Sequence, residues 1–303
     1  MSVRGGFWGL LALCLCACSS EPISEASQPD RNPPPWEAWA HTNPAWIAPV
    51  QPFTIIDNIH FVGTQGISSF LITSDGGHFL LDGGLPQSAP MIAQNIKALG
   101  YDISDVKILL NSHAHFDHSG GLAALKTMSG AKLYASQGDL SALEGGFYLG
   151  AEDKPQYSAP PVKVDTVIAE GDVLRLGETS LTARMTPGHT RGCTSWTMNA
   201  HQGGEQYEVL FFCSISVAGN RLIPPQYEGI VQDYQNSFEA MRSWQPDIFL
   251  GNHTGFFCLK DKRAKQLKGE TQAFVNPKEF SNYLRKSEAK FNASLARASA
   301  AHE

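Results

Sequence analysis

Short apolar runs separated by turn residues dominate the chain between residues 53 and 81. They are interrupted by Asp-Asn, Gly and Asp-Gly-Gly, which favour turns, so the pattern predicts a meander of strands. These runs lie at residues 53–56, 59–63, 69–73 and 78–81. A second series follows a predicted loop at residues 145–162. Its strands are expected at residues 164–168, 173–176, 180–184, 195–198 and 207–212.

Helical spacing of apolar residues follows each meander. It predicts helices at residues 90–99, 137–143, 234–244 and 278–291, and a helix start at residues 122–126. Further strands are expected at residues 106–110, 131–135 and 248–250. Two successive sets of meander followed by helices and strands indicate two similar halves. We therefore predict an α/β fold with two sheets face to face and helices outside, a four-layer αββα sandwich forming one domain over residues 51–303.

Composition fits a globular protein. Of 303 residues, 42% are hydrophobic and 17% charged, which argues against disorder. The net charge is −6 and no basic stripe is present, so nucleic acid is not an expected partner. The expected partner is a small molecule, and the expected state is a monomer.

The N-terminus predicts export. Arg4 precedes an apolar stretch at residues 7–15 that is too short to span a bilayer, as in a signal peptide. Cys16-Ala17-Cys18 resembles a bacterial lipoprotein signal, with residues 1–17 removed and a lipid attached to Cys18. The alternative is ordinary cleavage nearby and a soluble secreted product. Either way we expect a periplasmic protein, in the first case anchored to the outer membrane.

Residues 18–50 are rich in Ser, Pro and Glu and predict a tether. Its tryptophans, Trp36, Trp39 and Trp46, suggest that its end packs onto the body of the protein.

Export also permits disulfides. Cys193 and Cys213 flank a predicted hairpin, so they are expected to face each other on paired strands and form a disulfide. Cys258 remains unpaired and is expected to be buried. A cysteine as a zinc ligand is the alternative.

The densest chemistry lies at residues 113–118, His-Ala-His-Phe-Asp-His, directly after the strand predicted at 106–110. Imidazole nitrogens and a carboxylate suit zinc. His113 and His115 are two residues apart, so in extended backbone they project to one side and can share a metal ion. Asp117 and His118 follow after the chain begins to turn, so they can serve a second ion.

Two distal histidines occupy comparable positions. His189 lies in a Thr-Pro-Gly-His-Thr turn after the strand at 180–184, and His253 follows the strand at 248–250. Each therefore lies just past a strand end, where α/β folds place their chemistry. Taken singly, such a histidine is an ordinary turn residue. His41, His60, His78 and His201 lack a metal-like context and are interpreted as structural or surface residues.

Together, the H-x-H-x-D-H motif, Gly188-His189 and His253 resemble the metallo-β-lactamase superfamily from about residue 52 to the C-terminus. The resemblance implies the metallo-β-lactamase sandwich with a two-metal site at one edge of the sheets. Residues 52–64, 111–121 and 186–196 look like subclass B3 metallo-β-lactamases. That resemblance implies two zinc ions. The first would be held by His113, His115 and His189, and the second by Asp117, His118 and His253.

The end of the strand at 207–212 favours the B3 subclass. In glyoxalase-like and lactonase-like branches an aspartate here bridges both metals, whereas this chain has Cys213 and Ser214. B1 and B2 enzymes use a cysteine of this strand as a ligand of the second zinc, so with a register shift of one residue Cys213 could be that ligand. His118 makes such a ligand unnecessary. One departure from B3 enzymes is Asn252-His253-Thr254 in place of a His-Pro pair, with the histidine retained.

The resemblance implies hydrolysis of the β-lactam amide bond of penicillins, cephalosporins and carbapenems, and thus antibiotic resistance, by attack of a zinc-bound hydroxide that Asp117 orients. Ser214 and Ser216 resemble serines that contact the substrate carboxylate, unless they are satisfied locally at the strand end. Phe147 and Tyr148, in the loop at 145–161, would form a cleft wall or simply pack into the core. Alternative functions are lactone or thioester hydrolysis by the same fold, or a lipid-anchored zinc-binding module.

Overall fold

The structure, a computed structural model, describes residues 1–2 and 42–302. The chain divides into two compact units, Met1–Pro33 and Pro34–Glu303, and the elements described here belong to the second. Outside the described residues lie the predicted signal peptide beyond residue 2 and most of the predicted tether, with Cys18, Trp36, Trp39 and His41. No helix in the described ranges has both the length and the apolar character that a membrane span requires.

The first sheet has seven strands in the order of the sequence. Strands β1 to β4 pair antiparallel, whereas β4 to β7 pair parallel. The central strands β4 and β5 are almost entirely buried, because layers of the fold cover both of their faces. The strands are β1 Phe53–Ile56, β2 Ile59–Phe61, β3 Phe70–Ile72, β4 His78–Leu81, β5 Val106–Leu110, β6 Lys132–Ser136 and β7 Thr166–Ile168.

The second sheet has five strands, in the order β12-β11-β10-β9-β8. Strands β8 to β11 form an antiparallel meander, and β12 pairs parallel with β11. These strands are β8 Val173–Leu176, β9 Thr179–Met185, β10 Thr194–Gln202, β11 Glu205–Phe212 and β12 Ile248–Gly251.

Seven α-helices are described between residues 42 and 302. They are α1 Ala89–Ala98, α2 Phe116–Ser119, α3 Leu122–Ser129, α4 Leu140–Gly145, α5 Ile230–Met241, α6 Leu259–Leu267 and α7 Glu279–Ala300. Short 3-10 turns occur at Pro44–Trp46, Pro86–Ser88, Ile103–Asp105, Pro155–Tyr157 and Thr254–Phe257. Helix α6 has no counterpart in the sequence prediction.

Strand alternation distributes the apolar side chains over the layers. Phe70 contacts Phe211 across the two sheets, with ring centroids 5.2 Å apart, while the neighbouring Phe212 faces the opposite way and contacts Phe280 of α7. On the first sheet, Leu71 points to a separate apolar cluster shared with α1 and α3. Helices therefore cover the outer face of each sheet, and the predicted four-layer sandwich is confirmed.

Cys258 corrects an expectation. It is exposed, and the expectation that it is buried is wrong. The residue lies between the Thr254–Phe257 turn and α6 with a left-handed backbone (φ 53°), and its side chain faces outward while Phe257 and Leu259 on either side are buried.

Candidate metal centre

The loop after β5 carries four of the predicted ligands. His113 and His115 follow the strand. His115 has extended backbone at the position just before the short helix α2, on which Asp117 and His118 lie. All four side chains are buried. The loop is held from below by Asp82 at the end of β4, whose carboxylate accepts a hydrogen bond from the Ser112 amide at 2.7 Å.

The two distal histidines arrive from the second sheet. His189 follows β9 in a turn where Gly188 has a φ of 137° and where a Cβ would lie 2.8 Å from the Tyr234 ring, so glycine is required. His253 follows β12, and the amide of Ser68 binds the carbonyl of the preceding Asn252 at 2.8 Å. Loops from both sheets therefore meet at one edge of the sandwich.

Three histidines form a first ligand group. One ring nitrogen from each of His113, His115 and His189 lies within 4.8 Å of the others. Nδ1 of His189 is 2.7 Å from the Ser216 carbonyl, which fixes the proton on Nδ1 and leaves Nε2 as an acceptor. Nε2 of His113 is buried and has no hydrogen-bond partner among residues 42–302. Such an orphaned nitrogen suits a bound cation.

A second group forms around Asp117. Its Oδ2 is 3.2 Å from Nε2 of His118 and 3.4 Å from Nε2 of His253. The two Nε2 atoms are 3.1 Å apart. Three donor atoms converge on one point, as the ligands of a metal ion do. The structure thus brings all six predicted ligands together in two groups of three.

Burial and mutual repulsion keep most of these imidazoles neutral. Burial lowers the pKa of His189 to about 4 and, with His118, that of His253 to about 3. Burial and the neighbouring histidines also lower the pKa values of His113 and His115. Neutral imidazoles offer the lone pairs that metal binding requires.

The Asp117–His118 pair behaves differently. Burial opposes ionisation of Asp117, but His118 and the other histidines together hold its pKa below the usual value. Burial likewise opposes a charge on His118, but Asp117 and Asp82 together raise the pKa of that imidazole. These opposite shifts favour a carboxylate on Asp117 and place the proton of the pair on the His118 imidazole. The donor set of five imidazoles and one carboxylate fits a divalent metal ion.

A buried carboxylate that the sequence analysis missed supports the site. Asp139 accepts hydrogen bonds from the amide of Ala114 at 2.9 Å, the amide of Gly192 at 3.0 Å and the hydroxyl of Thr190 at 3.0 Å. It therefore joins the His113–His115 loop to the His189 turn. Its only sequence signal was a position at the start of a helix after β6.

Cys193 and Cys213 form a disulfide, with Cα atoms 5.9 Å apart and a sequence separation of 20 residues. The Sγ atom of Cys213 lies 3.6 Å from Nδ1 of His113. Since this sulfur is bonded to Cys193, it is not a thiolate, and the alternative of a cysteine ligand is wrong for this structure.

A cleft of about 780 Å³ opens above the ligands. Tyr148 lines it and stacks on His115, with ring centroids 4.0 Å apart, while its hydroxyl donates to Asn220 at 2.6 Å. Ser216 also lines the cleft. Phe147 instead packs partly buried against the core beside the first sheet, and the fully buried Ser214 lies behind Ser216. Of the four predicted substrate contacts, Tyr148 and Ser216 therefore reach the cleft.

Trp46, from the predicted tether, forms another part of the wall. Its ring lies 5.7 Å from that of His253 and 6.5 Å from that of Phe116. The sequence suggested only that this tryptophan packs onto the body. Its place beside a ligand follows from a backbone hydrogen bond of 2.8 Å from Gly66 to Ala45.

Two groups of three metal ligands, set between stacked sheets with outer helices, define a class of metal-dependent enzymes. The sequence model of the Metallo-beta-lactamase superfamily matches residues 62–250, and the chain belongs to that family. Among solved structures, BJP-1, a subclass B3 metallo-β-lactamase of Bradyrhizobium japonicum, is similar at 45% identity. The match covers 86% of this chain and 98% of that one, with a TM-score of 0.83. FEZ-1 metallo-β-lactamase from Legionella gormanii matches at 38% identity, with a TM-score of 0.80 over 83% of this chain and 98% of that one.

Curated relatives carry other names. A hydroxyacylglutathione hydrolase of Bradyrhizobium sp. is 29% identical over 126 residues, 42% of this chain and 41% of that protein. The chain thus matches about two fifths of that relative's length. The resemblance to subclass B3 enzymes is confirmed. The comparisons support a hydrolase of this fold, and the relatives' names point to different substrates.

Proposed function

We propose that this protein is a zinc-dependent β-lactamase that holds two zinc ions and hydrolyses the β-lactam amide bond. The observation that carries the proposal is the complete second ligand group of Asp117, His118 and His253, beside a strand end where Cys213 is locked in a disulfide. With these three ligands in place, the second ion needs no metal-bridging aspartate at residues 213–214. Similarity to BJP-1 over nearly that whole chain supports the same assignment.

His113, His115 and His189 would hold one ion, and Asp117, His118 and His253 the other. When bound, zinc acts as a Lewis acid and lowers the pKa of water to near neutrality. Asp117 remains ionised at neutral pH, because the surrounding histidines hold its pKa low. Its carboxylate, which lines the cleft, would accept a hydrogen bond from the attacking water and so orient that water toward the substrate carbonyl.

The cleft suits an anionic substrate with an apolar body. Arg221 lines it and offers positive charge to a carboxylate, and the Ser216 hydroxyl offers a hydrogen bond. Lys154 also lines it, but its ammonium group pairs with Asp153 at 3.1 Å. Tyr148 and Trp46 provide flat apolar surface, the first beside His115 and the second beside His253. A β-lactam, with an acyl side chain and a ring carboxylate, matches both requirements.

The direct test is turnover of a carbapenem and a chromogenic cephalosporin, each with and without a chelator. We expect chelator-sensitive hydrolysis of both. His115→Ala should lower kcat/KM by more than about 100-fold, because it removes a ligand. His201→Ala is a matched control, since His201 is exposed on β10 and makes no contact with the cleft. Undiminished hydrolysis by His115→Ala would refute the site.

A second candidate is hydrolysis of a lactone or thioester, favoured by the match to a hydroxyacylglutathione hydrolase. The same assay should include an acyl-homoserine lactone and S-lactoylglutathione. Turnover of either of these, with none of the β-lactams, would replace the first proposal by the second.

We further propose that the protein acts in the periplasm as a lipoprotein anchored through Cys18, which the sequence Leu15-Cys16-Ala17-Cys18 supports. Metabolic labelling with a radioactive fatty acid should mark the wild type and not Cys18→Ser. Labelling of neither, with the protein in the soluble periplasmic fraction, would favour ordinary signal cleavage.

A further inference from the structure

A second cavity, of about 840 Å³, lies beside the metal cleft and along helix α7. Its apolar surface comes mainly from Val217, Phe256 and Tyr283, and Phe291 also lines it but is only 1% exposed. Tyr283 and Phe256 pack against each other with ring centroids 5.2 Å apart. The volume lies in the range of pockets that bind drug-sized molecules. The metal chemistry described above uses none of these four residues.

The rim of this cavity is cationic. Lys286, Lys290 and Arg297 line it from α7, and all three are exposed. Spacings of four and seven residues place them on one side of the helix. In the part of the chain that the structure describes, Lys286 and Lys290 have no ion-pair partner. The acidic Glu279 also lines the cavity, but its carboxylate pairs with Lys262, which leaves the rim with unbalanced positive charge.

The cavity and the metal cleft share a wall. Ser216, Ala218, Gly255 and Phe256 line both. Phe256 contacts His253, with ring centroids 5.1 Å apart, and the carbonyl of Ser216 fixes His189. A molecule seated in the cavity would therefore contact residues that adjoin one ligand in each metal group.

We propose that this cavity is a separate binding site for an amphipathic organic anion. An aromatic or alicyclic body would lie on Phe256 and Tyr283, and a carboxylate or sulfonate would meet Lys286 and Lys290. Apolar burial supplies most of the affinity, and the two ammonium groups select the sign of the charge. The proposal is independent of the reaction at the metal centre, because it concerns binding alone.

Cys258 provides a local reporter, because its exposed thiol lines the same cavity. The metal-loaded protein is titrated with 8-anilinonaphthalene-1-sulfonate, followed by fluorescence. In parallel, alkylation of Cys258 by iodoacetamide is timed by peptide mass spectrometry, which distinguishes it from every other cysteine. We expect saturating probe to slow Cys258 alkylation several-fold, in step with the fluorescence change.

Charge reversal tests the rim. Lys286→Glu/Lys290→Glu should raise the Kd of the probe at least about tenfold, since it replaces two attractions by repulsions. Lys265→Glu/Lys268→Glu is the matched control: it changes the net charge equally, on exposed positions of and beside α6 that do not line the cavity. We expect its Kd to stay within about twofold of the wild type.

Unchanged alkylation of Cys258 at saturating probe would overturn the proposal, since the probe would then bind elsewhere, including in the metal cleft. Equal weakening by both double variants would also overturn it, because the effect would be one of net charge. Neither outcome depends on turnover, so failure here and failure of the β-lactamase assignment are distinguishable.

Discussion

At the scale of single residues, the metal ligands depend on a carboxylate that binds no metal. Oδ1 of Asp139 accepts from Gly192, and Oδ2 accepts from Ala114 and from Thr190. Burial raises the pKa of this carboxyl to about 6, against the opposing effect of the three donors. The protein thus retains a buried charge at neutral pH where the two ligand loops meet, and the hydrogen bonds compensate for its burial.

Asp139→Asn tests that role. An amide would present an NH₂ group to at least one backbone donor that now meets an oxygen. We expect the free energy of unfolding to fall by about 1–3 kcal/mol. Metal affinity should fall roughly 10- to 100-fold, because the loops lose their common anchor. Denaturant unfolding and metal titration measure the two effects. Asp261→Asn, at an exposed position of α6, is the control and should change neither.

His60 provides a pH-dependent contribution away from the metal. It is buried between the hydroxyls of Thr54 and Thr73, and burial, then His78, lowers its pKa to about 4 from 6.5. Between pH 6.5 and 4, His60 is therefore protonated in the unfolded chain but neutral in the folded chain. Stability from this group is present above pH 6.5 and is lost as the pH falls through that window.

His60→Gln should remove this dependence. The stability difference between wild type and variant should change by about 3 kcal/mol between pH 6.5 and 4, with the wild type losing more. Urea unfolding of the chelated protein at several pH values measures it, and subtraction cancels the other histidines. Parallel stability curves would contradict the assignment.

The six ligands could be predicted from the sequence because each follows a recognisable strand end or lies in one dense motif. Asp139 could not, since its partners lie 25, 51 and 53 residues away and only the folded chain brings them together. Phe147 and Tyr148 show the same limit. Two adjacent aromatics point in different directions, and only tertiary packing decides which one faces the cleft.

At the scale of elements, the Pro44–Trp46 turn builds part of the cleft by passing close to Gly66. A Cβ on Gly66 would lie 2.8 Å from Cδ1 of Trp46 and 3.1 Å from the Ala45 carbonyl. The absence of a side chain there lets the turn lie against the loop between β2 and β3 and places the indole beside His253.

Gly66→Ala should therefore displace Trp46 from the wall. We expect KM for a cephalosporin to rise about 3- to 10-fold with a smaller change in kcat, as a substrate contact shared by ground and transition states is lost. Gly219→Ala is the matched control, since Gly219 also lines the cleft but a Cβ there meets nothing within 4 Å. If both variants behave alike, the wall formed by Trp46 does not contact substrate.

Elements whose apolar residues face a core were the predictable ones. Strands β1, β4, β5 and β8 have the predicted limits, because turn residues bound each apolar run. Strand β10 extends beyond its predicted end to Gln202, and β11 begins earlier than predicted, at Glu205. Among the added residues 199–202 and 205–206 only Ala200 is apolar and buried, so backbone pairing continues the hairpin with little apolar burial. Helix α6 escaped prediction since only Leu259 and the ion-paired Lys262 are buried along it.

At the scale of the whole molecule, the metal site joins the two sheets. Four ligands follow β5 of the first sheet, and the other two follow β9 and β12 of the second. Neither ligand group is complete within one sheet. The first group needs His189 and the second group needs His253, and both of these histidines follow strands of the second sheet. Bound metal should therefore stabilise the packing of both sheets, and the unfolded chain offers no comparable site.

Metal removal tests this coupling. At free metal 1,000-fold above the Kd, binding should add roughly 4 kcal/mol to the free energy of unfolding. Chelation should therefore lower Tm by about 5–10 °C for a domain of this size. Removing a ligand from either sheet, by His115→Ala or His253→Ala, should reduce the response to metal, whereas His201→Ala should respond like the wild type. Scanning calorimetry with and without chelator measures all four proteins. If only His115→Ala lost the response, metal would stabilise the loop of the first sheet alone, and the site would not join the two sheets.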